Sequence, residues 1–232
     1  MGFLQFFKAE QPPLVEQAFG DVKTMLAHGQ VMFAAGSAHL LDNEILDVDL
    51  AALDVAINEC EQDLRRVLLE HLTIDPHHEL ILSLKLISIV QEAERIGDLA
   101  KSLSRTALLA HKPRLGPQVE PLRDLRDQLL TMFGWTHNSF VQGDEAGARR
   151  VMKHHETTKK ALTDYLACLS SNKSLTANEA LVYALGARMM SRVSSHLANI
   201  ASTVALPFDR IRSSPTWSTE NATPPHDDAI FW

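Results

Sequence analysis

The sequence predicts an all-α protein built as two tandem three-helix bundles, and three observations carry that reading. Apolar residues recur at steps of three and four, the helical period, over long stretches. The stretches are separated by short breaks marked by Pro, Gly or Asn/Asp. A plan of three long stretches occurs twice, on either side of a Pro/Gly break at Leu115–Pro117. No segment shows sustained alternation or an Asn-Gly or Asp-Gly hairpin signal, so no strand is expected. Aromatic residues make up only 6% of the chain, which also favours helical-bundle chemistry over a β-sandwich.

Pro12 and Pro13 suit a first helical turn, so helix one is read from Leu14 to Leu41. An acidic loop follows through Asp42, Asn43, Glu44, Asp47 and Asp49. Helix two spans Asp49 to His71, with Leu50, Leu53, Ile57, Cys60, Leu64, Val67 and His71 as its seam. Asp75-Pro76 breaks the chain, and Asp75 is the expected N-cap of helix three, Pro76 to Ala110. The first half of that helix is apolar almost all round, so it should be central. A linker runs from His111 to Pro121. Helices four, five and six follow at Val119–Val141, Asp144–Ser170 and Thr176–Leu206. Gly143 and the Ser171-Asn172-Lys173 turn separate them, and Pro207 ends the last. The expected units are residues 12–112, residues 117–206 and a disordered tail over 207–232.

The formal charge of −7 offers no basic stripe for nucleic acid. Cys60 and Cys168 form no CxxC and read as small core residues in a reducing compartment. No apolar run reaches the ~18 residues of a membrane span, and the N-terminus lacks a signal-peptide pattern. The cytoplasm is the expected compartment. Phe3, Leu4, Phe6 and Phe7 form either a staple onto helix one or a peripheral anchor at the inner face of a membrane. Ile230, Phe231 and Trp232 form a second apolar end.

Four carboxylates stand out. Glu59 and Asp63 are four apart on helix two, and Glu94 and Asp98 are four apart on helix three. That spacing stacks like charges on one helix face, where they repel. Leu80, Leu84, Ile87, Gln91, Glu94 and Asp98 form one stripe that begins apolar and ends in two acids. Converging carboxylates need protons or a cation, and hard oxygen donors suit Mg²⁺, Mn²⁺ or Fe. The competing reading is a solvated acidic face neutralised by Arg65, Arg66, Arg95 and Lys101.

The stretch Ile87–Leu103, ISIVQEAERIGDLAKSL, resembles the signature helix of the PhoU family. Glu94-Arg95-Ile96-Gly97-Asp98 matches that family's ERIGD motif at every position. The stretch Ile57–Arg66, INECEQDLRR, resembles its companion acidic helix, with Glu59 and Asp63 at the acid positions. The resemblance covers residues 12–206 and implies two three-helix bundles with multinuclear metal clusters at the acidic motifs, the metal being Fe, Mn, Mg or Zn. It further implies a non-enzymatic regulator of phosphate homeostasis, acting on a phosphate transporter or its sensor kinase. Exposed bundle faces are compatible with a homodimer.

The second half departs from the pattern. Ser191 and Ser195 align with Glu94 and Asp98, 97 residues on, and His154 and Thr158 align with Glu59 and Asp63, 95 residues on. All four acids are gone, so metal binding is expected only in the first repeat. Leu99 stands where the family commonly has histidine. His154, His155 and His196 lie near the lost site, but adjacent residues on a helix point about 100° apart. They read as surface or core histidines rather than zinc ligands. A di-iron bundle enzyme would need Glu-x-x-His, which is absent, as are GxSxG and P-loop motifs. The alternatives to a metal-binding regulator are a metal-free helical adaptor for another ion transporter and, third, a di-metal enzyme.

Overall fold

The computed structural model describes residues 12–212, and six long helices account for most of them. They are α1 (Pro13–Leu41), α2 (Leu50–Ile74), α3 (Leu80–Ala107), α4 (Glu120–Gln142), α5 (Glu145–Ser171) and α6 (Ala177–Ala205). A 3₁₀ turn, Phe208–Arg210, follows. No strand occurs among the described residues. The segment carrying Phe3, Leu4, Phe6 and Phe7 and the end carrying Ile230, Phe231 and Trp232 lie outside them.

Helices α1–α3 pack on one another, and so do α4–α6. The two bundles join where α3 meets α6 and α1 meets α4. One continuous apolar cluster runs through both. Aromatic pairs hold the α1–α4 seam: Phe19 stacks on Phe140 at 4.4 Å, and Phe33 meets Phe133 at 5.5 Å. The α1–α3 crossing is closer still. A Cβ placed on Gly36 would lie 2.5 Å from the Ala100 carbonyl oxygen, so only glycine fits there. At the end of α1, Asp42 is clamped from α4 by Arg123, at 2.8 Å, and by Arg126.

Local chemistry sets the helix ends. Asp49 caps α2 by accepting hydrogen bonds from the backbone N–H groups of Ala51 and Ala52. Thr176 and Glu179 form a reciprocal capping box at the start of α6. Helix α3 differs from expectation. Asp75 is the C-cap of α2, and its carboxylate accepts from the N–H groups of His77 and His78 in a turn. The residue before a proline disfavours helical backbone, and the short Asp side chain satisfies the turn instead. Glu79 then adopts φ 50°, and α3 begins only at Leu80.

The buried face of α3 also differs. Its core stripe is Leu82, Leu86, Ile89, Ala93, Ile96, Ala100 and Leu103. Leu80 and Ile87, expected in the core, are 38% and 37% exposed, so the stripe leading to Glu94 and Asp98 is an edge of the bundle. Lys85, on the same helix, is buried. Its ammonium donates to the carbonyl oxygens of Thr203 (2.6 Å) and Leu206 (2.9 Å), capping the negative end of α6. Cys60 is half-buried and Cys168 exposed, so Cys168 is not a core residue.

The tail expected from Pro207 is ordered as far as the described residues go. Arg212 donates to the Ser88 carbonyl oxygen and pairs with Glu92 at 2.8 Å. Glu92 is buried on α3 and also accepts from Asn199, at 2.9 Å, and lies 2.7 Å from the His196 Nδ1. Burial pushes the Glu92 carboxyl up, but the hydrogen bonds from His196 and Asn199 and the charge of Arg212 outweigh it and hold it below the ordinary range. This cluster ties α3 of one bundle to α6 of the other.

Candidate functional site

The acid pair on α3 forms as the spacing required. Glu94 and Asp98, one turn apart, share a side-chain hydrogen bond. Burial first, then the Asp98 carboxylate beside it, pushes the Glu94 carboxyl up to about 7. Glu61 on α2 adds a like charge. For Asp98, burial acts upward, but Lys101 and the hydrogen bond with Glu94 outweigh it and hold it below the ordinary range.

Lys101 is the cation of this groove. Its Nζ lies 3.0 Å from Asp98 and 2.7 Å from Asp54 of α2, bridging the two helices. Burial lowers the Lys101 pKa, but the two carboxylates outweigh it and raise it. Arg95 lies 3.6 Å from Glu94 and 3.5 Å from Asp98. The ion pairs of the competing reading are therefore present, with Arg65 on Glu61 at 2.7 Å and Arg66 on Asp63 at 2.6 Å.

The four acids singled out by spacing are not brought together. Glu59 is exposed. Asp63 acts on Asp21 of α1, whose carboxyl is pushed up by burial and then by that charge. Cys60, between them, is raised by burial and by the charges of Asp21, Asp63 and Glu59. The acids of α2 linked to the Glu94–Asp98 pair are Asp54, which shares Lys101 with Asp98, and Glu61, whose charge acts on Glu94; spacing missed both. The signal was there: Asp54 and Glu61 are seven apart, on the other flank of the Ile57–Leu64 seam. Among the described residues, no three His, Cys, Asp or Glu side chains are gathered to hold a metal ion.

The donor chemistry suits a hard divalent cation, since all the convergent groups are carboxylates. The arrangement does not, because Lys101 and Arg95 already supply the positive charge that Asp98 faces.

The equivalent groove in the second repeat has different contents. Buried positions match α2 to α5 at an offset of 94 residues (Ile57 to Val151, Leu64 to Thr158, Leu68 to Leu162), one less than the sequence alignment gave. His155 thus takes the place of Glu61, and its Nδ1 lies 2.8 Å from the Ser194 Oγ on α6. His154 packs edge-on against Trp135 at 5.5 Å, and His196 belongs to the Glu92 cluster. The three histidines are not gathered.

Two bundles of three helices, joined in tandem along their first and third helices, with an acid pair inside helix three, make the fold that of the PhoU proteins. The structure matches PhoU from Pseudomonas aeruginosa with a TM-score of 0.66 at 20% identity, covering 82% of this chain and 91% of that one. It matches the phosphate transport system regulatory protein PhoU from Streptococcus pneumoniae with a TM-score of 0.65 at 15% identity, over the same shares of the two chains. No protein-family model matches the sequence, and no curated protein matches it by sequence.

Proposed function

We propose that this protein is a PhoU-type regulator of phosphate transport, acting as a non-catalytic helical scaffold on a phosphate transporter or its sensor kinase. The observation that carries this is the match over 91% of two PhoU chains combined with an intact ERIGD acid pair at Glu94 and Asp98. None of the described helices is long and apolar enough to cross a membrane, so a membrane partner would be met from its surface. Complementation tests the reading. Expression in a bacterium lacking its own PhoU should restore repression of a phosphate-starvation reporter in high phosphate. Full expression with no change in the reporter would sink it.

Within that reading, a divalent cation would have to displace Lys101 before Glu94 and Asp98 could hold it together with acids of α2, either Asp54 and Glu61 or Glu59 and Asp63. It would supply positive charge that locks α2 to α3 in place of Lys101. Metal analysis of protein prepared without chelator or affinity nickel checks this. Retained metal that is lost in Glu94→Ala with Asp98→Ala supports a metal-dependent regulator. The ion pairs of Lys101 with Asp54 and Asp98 favour the second reading, a metal-free adaptor, which an empty, monodisperse and reporter-active protein would establish.

A further inference from the structure

The second repeat opens a recess of about 300 Å³ between α5 and α6, at the place where the first repeat carries its acid pair. Lys159 from α5 and Arg188 and Arg192 from α6 line it, together with Ser191, Ser195 and His155. No carboxylate lines it. Among the described residues, none of the three cations forms an ion pair.

Position by position, the change from the first repeat is a charge inversion. Gln91, Glu94, Arg95 and Asp98 correspond to Arg188, Ser191, Arg192 and Ser195, 97 residues on. Two acids and one arginine become two arginines and two hydroxyls. Arg188 and Arg192 are four apart, so both guanidinium groups leave the same face of α6, with the two serines on the same side of the helix. Three unpaired cations around one concave surface repel, and that repulsion is relieved when an anion enters. Two planar forks, one point charge and two hydroxyl donors offer more positive charge and more donors than a single carboxylate uses. They suit a tetrahedral oxyanion carrying about two charges. The volume lies at the small end of the ~300–1,000 Å³ range of small-molecule sites.

We propose that this recess binds a small phosphate-bearing anion, either inorganic phosphate or a phosphate monoester. The proposal rests on the recess and does not depend on the regulatory role above.

Titration calorimetry on the full chain tests it, with inorganic phosphate, AMP as a monoester, and an acidic peptide as separate arms. Saturable binding of phosphate or AMP is expected, and the tighter of the two identifies the source. Arg188→Ala with Arg192→Ala should weaken it at least about tenfold, as loss of charge-assisted hydrogen bonds does. Arg105→Ala with Lys173→Ala removes the same charge from exposed positions elsewhere and should change it less than about twofold. Ser191→Glu with Ser195→Asp keeps both arginines and restores the acid pair, and should abolish binding. Circular dichroism confirms that each variant is folded. The proposal is overturned if neither anion binds by about 10 mM, a level weaker than any useful affinity. It is equally overturned if the control pair loses binding as the arginine pair does, or if the peptide binds more tightly than both anions.

Discussion

The α2–α3 groove and the α5–α6 groove share a backbone plan and oppose each other in charge. In the first, Asp54 and Asp98 hold Lys101, and Glu61 adds a like charge beside the Glu94–Asp98 pair. In the second, Lys159, Arg188 and Arg192 surround hydroxyls. The helix contacts beneath them diverge too. Gly97 lets α3 approach α2 so closely that a Cβ there would lie 3.1 Å from the Ile57 Cδ1. Its counterpart, Ser194, instead puts a hydroxyl on His155. The comparison teaches that the buried seam specifies the bundle and that the motif acids do not. Ile57, Leu64 and Leu68 keep apolar or neutral buried counterparts in Val151, Thr158 and Leu162, while every acid has been replaced.

The largest effect is expected where the two repeats are tied. Glu92→Ala leaves His196, Asn199 and Arg212 without their common acceptor inside the α3–α6 interface. Breaking a buried charge pair from one side costs about 3–5 kcal/mol, and the partly exposed Arg212 places this cluster at the lower end, about 3 kcal/mol. Arg212→Ala should cost less, because His196 and Asn199 remain on Glu92. Urea unfolding of both variants checks the order. Equal and small losses would mean that the bundles are joined by apolar packing alone.

Two glycines sharpen the comparison next. Gly36→Ala drives a Cβ into the Ala100 carbonyl, a backbone atom that cannot turn away, and should destabilise by about 1–3 kcal/mol. Gly134→Ala in α4 of the second repeat meets nothing within 4 Å. A helix-interior Gly→Ala change in open space stabilises by about 0.5–1 kcal/mol. Opposite signs in thermal melts are the expected result. Losses of the same sign would show that α4 is as tightly approached as α1.

Much of this was legible beforehand. The three-and-four periodicity gave six helices, and most boundaries fell within a few residues because Pro12, Gly143 and Pro207 act locally. The start of α3 was misplaced because Asp75 can cap a helix or close a turn, and only the left-handed Glu79 distinguishes the two. Glu94 and Asp98 were legible from their spacing and motif. Their α2 partners were not, because Glu59/Asp63 and Asp54/Glu61 flank the same seam, and the roll of α2 against α3 decides which flank faces the pair. Glu92 could not be read at all, since its partners lie more than a hundred residues away along the chain.

Lys101 probes the first groove alone. Lys101→Met removes the bridge between Asp54 and Asp98 and leaves both without their shared cation, in a groove that also carries the Glu94 carboxyl and the like charge of Glu61. The side chain is 20% exposed, so the expected loss is about 1–2 kcal/mol rather than the cost of a fully buried pair. Added Mn²⁺ should recover part of that loss if the acids can hold a cation, and the melting temperature would then rise with metal in the variant more than in the parent. A variant as stable as the parent, and indifferent to Mn²⁺, would reduce Lys101 to a surface ion pair.

The last expected effect is a pH dependence that Glu94 gives the first repeat. Glu94 has its carboxyl raised to about 7 in the folded protein, against an ordinary value of 4.5. Below pH 4.5 it is protonated folded or unfolded, and its environment carries no penalty. Between 4.5 and about 7 the unfolded chain releases the proton and the folded protein keeps it, so stability falls as pH rises through that window. Above about 7 the loss is complete and constant. Asp98 has the opposite sign, since its lowered pKa adds stability that is lost as pH falls below the ordinary 3.8, outside the window. Glu94→Gln imitates the protonated acid and removes the dependence. It should match the parent at pH 4.5 and exceed it by about 1–2 kcal/mol at pH 8, a figure kept modest because the side chain is 20% exposed and screened. Ser191→Gln at the equivalent position of α6 has no acid pair to relieve, and its difference from the parent should be flat across the same range. Urea midpoints of both variants from pH 4.5 to 8 decide it, and a flat difference for Glu94→Gln would mean that the two carboxylates on α3 are solvated independently.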